Sequence, residues 1–311
     1  MMHGVLNIYK EKGFTSHDVV AKLRRITGQK KIGHTGTLDP EAEGVLPVCL
    51  GKATRLCDML TDKDKTYETV LLLGQATDTQ DCTGKILTQK DTSFLTEDQV
   101  KAEVLSFQGE YEQIPPMYSA LKINGKKLYE LARDGKEVER KPRKVRIHQI
   151  RILDVSLPRV RMEVTCSKGT YIRTLCQDIG EKLGCGGCME SLVRTRVERF
   201  TREEGLTLAR AGEEMEAGTL AARLVPVDRM LDGRTRVYLK PAAAKAVRNG
   251  NPFWPGDILW QGENHFQDWQ DKEEARVYDE NRNFIAVYAW QEAEQYFKIV
   301  KMFFDRPESD N

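Results

Sequence analysis

Long apolar runs are missing from this chain, and their absence sets the first boundary on what it can be. Nowhere in its 311 residues does a stretch approach the roughly 20 apolar residues that a membrane-crossing helix needs. The first residues also lack the apolar core of a signal peptide, so a cytoplasmic protein with no membrane attachment is expected. Cysteine occurs seven times, an odd number that argues for reduced thiols rather than a disulfide framework. Cys185 and Cys188 form a CxxC, but no second pair stands at metal-ligand spacing, and a structural metal needs four ligands. No metal is therefore expected. Internal repeats and low-complexity tracts are absent, and so is a strong charge of either sign: the net charge is +1.

What is present reads as a globular protein. A hydrophobic content of 40% beside 31% charged residues is ordinary for such a chain, and the length suits one large domain with a smaller one. The distribution of charge says more than its sum. Residues 140 to 173 carry ten Lys or Arg against two acids, whereas from 262 onward twelve Asp or Glu stand against six Lys or Arg. A basic middle beside an acidic end fits a groove for a phosphate backbone, and equally a solvated strand face.

Local patterns give the elements. Gly4 to Tyr9 alternates like a strand, and Thr15 or Ser16 caps a helix that Gly28 closes. Val45 to Leu50 predicts a short buried strand, 53 to 60 a short helix, and Lys65 to Leu73 a strand. Thr96-x-x-Gln99 is a capping box for a helix reaching Phe107, and Thr201-x-x-Glu204 predicts the start of another. Two strands, 145 to 155 and 160 to 166, flank a turn at Pro158, and a helix then runs to about Gly184. Beyond Gly233, strand-like pieces at 237–239, 257–260, 276–279, 284–290 and 296–303 surround one helix opened by Pro241.

The most constrained stretch is 33 to 51, with four glycines and two prolines. Its one aspartate, Asp39, precedes Pro40, which biases it towards extended backbone and presents the carboxylate on a stiff loop. On residue types alone, Asp39 could simply cap its own turn. The string Gly33-His34-Thr35-Gly36-Thr37-Leu38-Asp39-Pro40, continuing through Ala42, Gly44, Leu46 and Pro47, nevertheless resembles the G-H-T-G-x-L-D-P-x-A-x-G-x-L-P motif of the TruB family of tRNA pseudouridine synthases. The likeness extends to Lys10-Glu11-Lys12-Gly13-Phe14-Thr15-Ser16, where Glu11 stands for the family's proline, and to Lys65-Thr66-Tyr67. It continues through Gly74 to Gly84, Gln113 to Gly135, and Cys166 to Arg173.

That resemblance implies an α+β fold: a catalytic domain over 1–232 on a mixed, largely antiparallel sheet, then a small β-rich, PUA-like domain over 233–311. It implies an isomerase that needs no cofactor, converting uridine 55 in the TΨC arm of tRNA to pseudouridine as a monomer without an obligate protein partner. Asp39 would be the catalytic nucleophile, Arg173 its ion-pair partner, and Tyr67, Tyr171 and Leu192 the surround of the target base. His34 would occupy the stack that the extruded base leaves.

The chemistry is compatible with one carboxylate acting alone. Asp39 could attack C1′ or C6, or assist glycal formation by removing a proton; these routes stay open. A charge-assisted pair with Arg173 would aim it, and Tyr67 could relay the C5 proton. Two other classes compete. A silent tRNA-binding or folding protein on the same scaffold is disfavoured by the intact Asp39, Tyr67 and Arg173. A hydrolase would want a second acid, a positioned histidine base or a metal cluster, and no such grouping is visible.

Overall fold

A computed structural model describes residues 1–123, 125–261 and 269–304. The first strand, β1 (Gly4–Lys10), leads into α1 (Ser16–Thr27). Thr15 and Asp18 form a reciprocal capping box at its start, and Gly28 ends it at φ 65°, the left-handed conformation that costs glycine least. After β2 (Ile32–His34) and β3 (Glu43–Leu50), the expected short helix opens as a 3-10 turn over Gly51–Leu56. It becomes α-helical only at α2 (Cys57–Thr61).

Next come β4 (Lys65–Leu73) and a hairpin of β5 (Gln75–Thr77) and β6 (Ile86–Gln89). In its turn, Asp78 and Asp81 accept backbone N–H groups from Lys85 and Thr83. The helix α3 (Glu97–Ser106) follows its Thr96–Gln99 box and leads to β7 (Gly109–Gln113). A small hairpin, β8 (Lys122–Ile123) and β9 (Lys126–Lys127), runs into α4 (Leu128–Arg133). The long pair β10 (Arg143–Ser156) and β11 (Arg159–Cys166) precedes α5 (Ile172–Lys182) and β12 (Gly187–Val197).

One expectation fails here. Thr201 starts no helix; it belongs to β13 (Phe200–Thr201), which folds back on β12, and Arg202 N–H still donates to Thr195. The hairpin pairing outcompetes the local cap signal. Helix α6 (Leu208–Glu216) begins six residues further on, where the Thr207 hydroxyl accepts from Arg210 N–H.

These strands form a nine-stranded sheet in the order β1-β3-β12-β4-β11-β10-β7, with β2 on β3 and β13 on β12. Every pairing is antiparallel except β3 with β12, where Val193 meets Glu43 and Arg194 meets Gly44. Helices α1 and α6 cover Leu6, Ile8, Leu46 and Val48, whereas α3 and α5 cover Leu71, Met162 and Val164. The parallel seam is thus the join between two antiparallel halves, and the candidate site opens beside it.

The second sheet comprises β14 (Thr235–Leu239), β15 (Ile258–Gln261), β16 (Glu274–Tyr278), β17 (Phe284–Gln291) and β18 (Tyr296–Met302), ordered β15-β14-β16-β17-β18. Helix α7 (Pro241–Val247) closes its core over Val237, Val277 and Phe297. Val287 of this sheet and Phe303, just beyond its last strand, pack with Val5, Val45 and Phe200 of the first, so apolar contact joins the two. No helix among the described residues is long and apolar enough to cross a membrane.

Gly44 makes the parallel seam possible. It holds φ at +109°, and a Cβ there would lie 2.2 Å from the Arg194 carbonyl oxygen. Gly44→Ala should therefore lower stability by about 2–4 kcal/mol, a backbone cost added to overpacking. Gly28→Ala meets open space and should cost only about 1 kcal/mol. Urea midpoints at constant m-value check both, and equal losses would refute the steric account.

Candidate active site

Asp39 sits in a loop pinned from several sides. Leu38 N–H donates to the Ser16 hydroxyl at 2.9 Å, and Gly13 N–H to the Pro40 carbonyl at 2.9 Å. Lys10, wholly buried at the end of β1, donates to the carbonyls of Phe14 at 2.7 Å, and of Pro40 and Glu11 at 3.2 Å each. A buried ammonium is stable only when its protons are satisfied, and three carbonyls satisfy these. The Glu11 substitution therefore keeps the loop, because its backbone carbonyl is what Lys10 uses. Burial pushes the Lys10 ammonium down to about 8, against the opposing pull of Asp39 and Glu43.

Arg173, in the first turn of α5, is the hub. Its Nε lies 3.0 Å from Asp39 Oδ2, Nη1 donates to Thr79 O at 3.1 Å, and Nη2 to Tyr118 O at 2.8 Å. One planar fork thereby joins the Asp39 loop, the 74–84 turn and the 113–121 segment. The guanidinium side chain is 7% exposed and the carboxylate 40%, so the pair anchors inwards and offers its anion outwards. Gln113 fixes the approach to α5: its side chain donates to Tyr171 O at 3.0 Å and accepts from Tyr171 N–H at 2.7 Å.

A cleft of about 330 Å³ opens over the pair, and Asp39, Tyr67, Tyr171, Arg173 and Leu192 all line it. Among the described lining residues Asp39 is the only acid, whereas Lys65, Arg173 and Arg194 are cations. Burial pushes the Tyr67 hydroxyl up to about 12 and raises Tyr171 as well. His34 stands apart, at the end of β2. Its ring is edge-on to His17 at 5.5 Å and its Nδ1 accepts from Gly36 N–H at 3.3 Å. Burial lowers its pKa below the ordinary 6.5, which leaves the ring neutral at pH 7. A second cavity of about 600 Å³ shares Asp39 and Arg173 and extends to Lys127, Tyr129 and Arg133.

Sequence reasoning missed Lys10, Lys65 and Arg194. For Arg194 a signal existed: it lies two residues after Leu192 on one strand, so the two side chains share a face. Lys65 is buried, its ammonium donates to Thr61 O at 3.0 Å, and burial pushes it down to about 8. All seven cysteines are free, and Cys185 and Cys188 are buried. No group of three or more His, Cys, Asp or Glu suited to a metal occurs among the described residues.

The arrangement provides one aimed carboxylate in a cationic cleft walled by aromatic and apolar groups. Comparison with known proteins gives matching results. Residues 24–172 match the TruB family pseudouridylate synthase N-terminal domain, and residues 173–232 the tRNA pseudouridylate synthase B C-terminal domain. A tRNA pseudouridine synthase B of Lachnoclostridium phytofermentans is 52% identical over 310 residues, covering 97% of this chain and 100% of the relative. That of Clostridium perfringens strain 13 is 42% identical over 305 residues, covering 98% and 100%. Among solved structures, a chain of a Cbf5-Nop10-Gar1 complex aligns with a TM-score of 0.73 at 27% identity, covering 98% of this chain and 86% of that one. An H/ACA RNP bound to a substrate RNA containing 2′-deoxyuridine aligns with a TM-score of 0.72 at 25% identity, covering 98% and 86%.

The buried lysines carry a signed pH effect. Lys65 has an ordinary pKa of 10.5 and a folded value of about 8, so between those values the unfolded chain holds more protons. Its contribution to stability therefore rises with pH across that window, as the cost of the buried charge is relieved. Relative to Lys65→Met, the wild type should gain stability from pH 8 to pH 10 in urea titrations. A constant gap would refute desolvation of Lys65.

Proposed function

The chain belongs to the TruB family and is a tRNA pseudouridine synthase, an isomerase that makes pseudouridine 55; from that premise we propose that Asp39 is its nucleophile and that the 330 Å³ cleft takes the extruded uridine. The observation that carries this reading is the isolation of Asp39 as the sole acid lining the cleft, held by Arg173 with its second oxygen free to face a ligand. A uridine stacked in the folded TΨC loop cannot be reached in place, so it leaves the stack and enters the cleft. Tyr67 and Tyr171 offer ring faces to it and Leu192 an apolar edge, while neutral His34 fills the vacated stack. Neighbouring loop nucleotides fit the second cavity, where Tyr129 provides a stacking face and Lys127 and Arg133 phosphate contacts.

After addition at C1′, the closing steps balance without a cofactor. The base rejoins the sugar through C5, and the carboxylate is released. The C5–H bond then breaks with its electron pair kept by the ring. Its proton passes to the Tyr67 oxygen as that hydroxyl gives its own proton to Asp39, and a solvent proton restores N1–H. No cofactor enters this scheme. We further read the protein as a cytoplasmic monomer of two domains, 1–232 and 233–311, and the seven free thiols suit a reducing compartment.

The basic stretch divides in two. Arg151, Arg159, Arg161 and Lys168 are ion-paired to Glu163, Glu190, Glu68 and Asp62. Arg143, Lys144 and Arg146 are exposed on β10 without such partners, and they are our candidates for phosphate contact.

Two experiments test this. Tritium release from tRNA labelled at uridine C5 should proceed with wild type and fall at least about 10⁴-fold in Asp39→Asn, with tRNA binding retained. No release by wild type from unmodified tRNA would sink the reading. Removing the Arg143 or Lys144 charge should weaken tRNA binding and reduce the salt slope by about one per contact. Arg159→Ala and Arg161→Ala should leave both unchanged, and equal effects from all four would refute the division.

A further inference from the structure

Among the described residues the largest fully buried side chain is a charged one, Arg194, at the centre of the nine-stranded sheet. It lies on β12 between β3 and β4, where its backbone pairs with Gly44 on one side and Tyr67 on the other. The guanidinium forms no ion pair with a carboxylate among the described residues. Its protons go to backbone oxygens of the catalytic loop and strand: Nε to Val45 at 2.7 Å, Nη1 to Thr37 at 3.4 Å and Nη2 to Gly36 at 3.4 Å. Tyr67 stands beside it: the two are cross-strand partners, both line the cleft, and the guanidinium favours the ionised Tyr67 hydroxyl against the effect of burial.

A buried cation without a counter-ion is costly, and an apolar side chain in a strand centre would cost nothing of that kind. Arginine can only donate, so a guanidinium beside the phenol leaves the Tyr67 O–H to turn to another acceptor. The same fork holds the carbonyls two and three residues before Asp39. We propose that Arg194 is a positioning residue for this reaction, one that fixes the Tyr67 hydroxyl at the floor of the cleft and ties it to the Asp39 loop. It touches no reacting atom itself. This inference rests on the reading of Tyr67 as the relay for the C5 proton.

The test is a double-mutant cycle with Arg194→Met and Tyr67→Phe, read in single turnover on tRNA carrying hydrogen or deuterium at uridine C5. Arg194→Met should lower the rate about 10- to 100-fold with KM for tRNA within about twofold. In the Tyr67→Phe background the same change should cost less than about threefold, because the group it serves is already gone. The deuterium effect should rise in Arg194→Met, since a misplaced relay makes C5–H cleavage limiting. A merely misshapen core would leave it unmoved. Arg194→Lys, which keeps the charge but loses the fork, should recover part of the rate, and it replaces Met in the cycle if the Met variant fails a thermal melt. Equal losses in both backgrounds with an unchanged deuterium effect would overturn the proposal while leaving Tyr67 in its role. A fully active Tyr67→Phe would overturn the Tyr67 reading and the inference with it.

Discussion

The Arg173–Asp39 pair is the interaction on which the site depends. A surface ion pair of the same length would be worth little, because solvent screens it and two long side chains must be ordered to make it. Here the arginine is already fixed by two backbone carbonyls, Thr79 and Tyr118, so bonding Asp39 costs little further ordering. Its burial also removes competing water. The consequence is structural as much as chemical: three segments far apart in sequence meet at one guanidinium. Removing that fork would free the Asp39 loop, the 74–84 turn and the 113–121 segment together.

Around that hub the protein repeats one device, a buried cation bonded to backbone carbonyls. Lys10 holds Phe14 and Pro40, Lys65 holds Thr61, and Arg194 holds Val45 and the 36–37 carbonyls. Loops cannot satisfy their own carbonyls as helices and sheets do, and a buried loop needs donors brought to it. Each cation meets that need and also adds positive potential near the only carboxylate of the cleft. The loops are thereby stiff without being regular, which suits a site that must hold its geometry when substrate binds.

Much of this was legible beforehand, and the division between what was and was not is physical. Strand β4 matches its expected bounds, Lys65–Leu73, because a central strand writes its burial into continuous β-branched and leucine residues. The caps at Thr15 and Thr96 were readable because a capping box is a local arrangement of four residues. The same local signal misled at Thr201, where pairing with Arg196 across the β12–β13 turn won over a helix start. Buried cations left no pattern of their own. A lysine at a strand end reads as solvated, and only the tertiary convergence of carbonyls explains why Lys10 is inside. Gln113, whose motif likeness had no evident physical reason, is explained by its two bonds to the Tyr171 backbone.

Twelve acids against six cations from 262 onward would repel RNA if every acid faced solvent, and the structure uses some of them otherwise. Asp279 is buried and accepts from Arg248 and from the backbone of Asn281 and Asn283. Glu274 is bonded by Arg234. These carboxylates serve turns and strand contacts inside the protein, with their charge met by arginines that a residue count places elsewhere. Net charge along a sequence window therefore overstates the negative field that this sheet presents. What an approaching polyanion meets is the unpaired remainder, and for the first sheet that remainder is concentrated on β10 at Arg143, Lys144 and Arg146. A chain of net charge +1 can thus serve a phosphate backbone, because its acids are spent on its own arginines and a few of its cations are not.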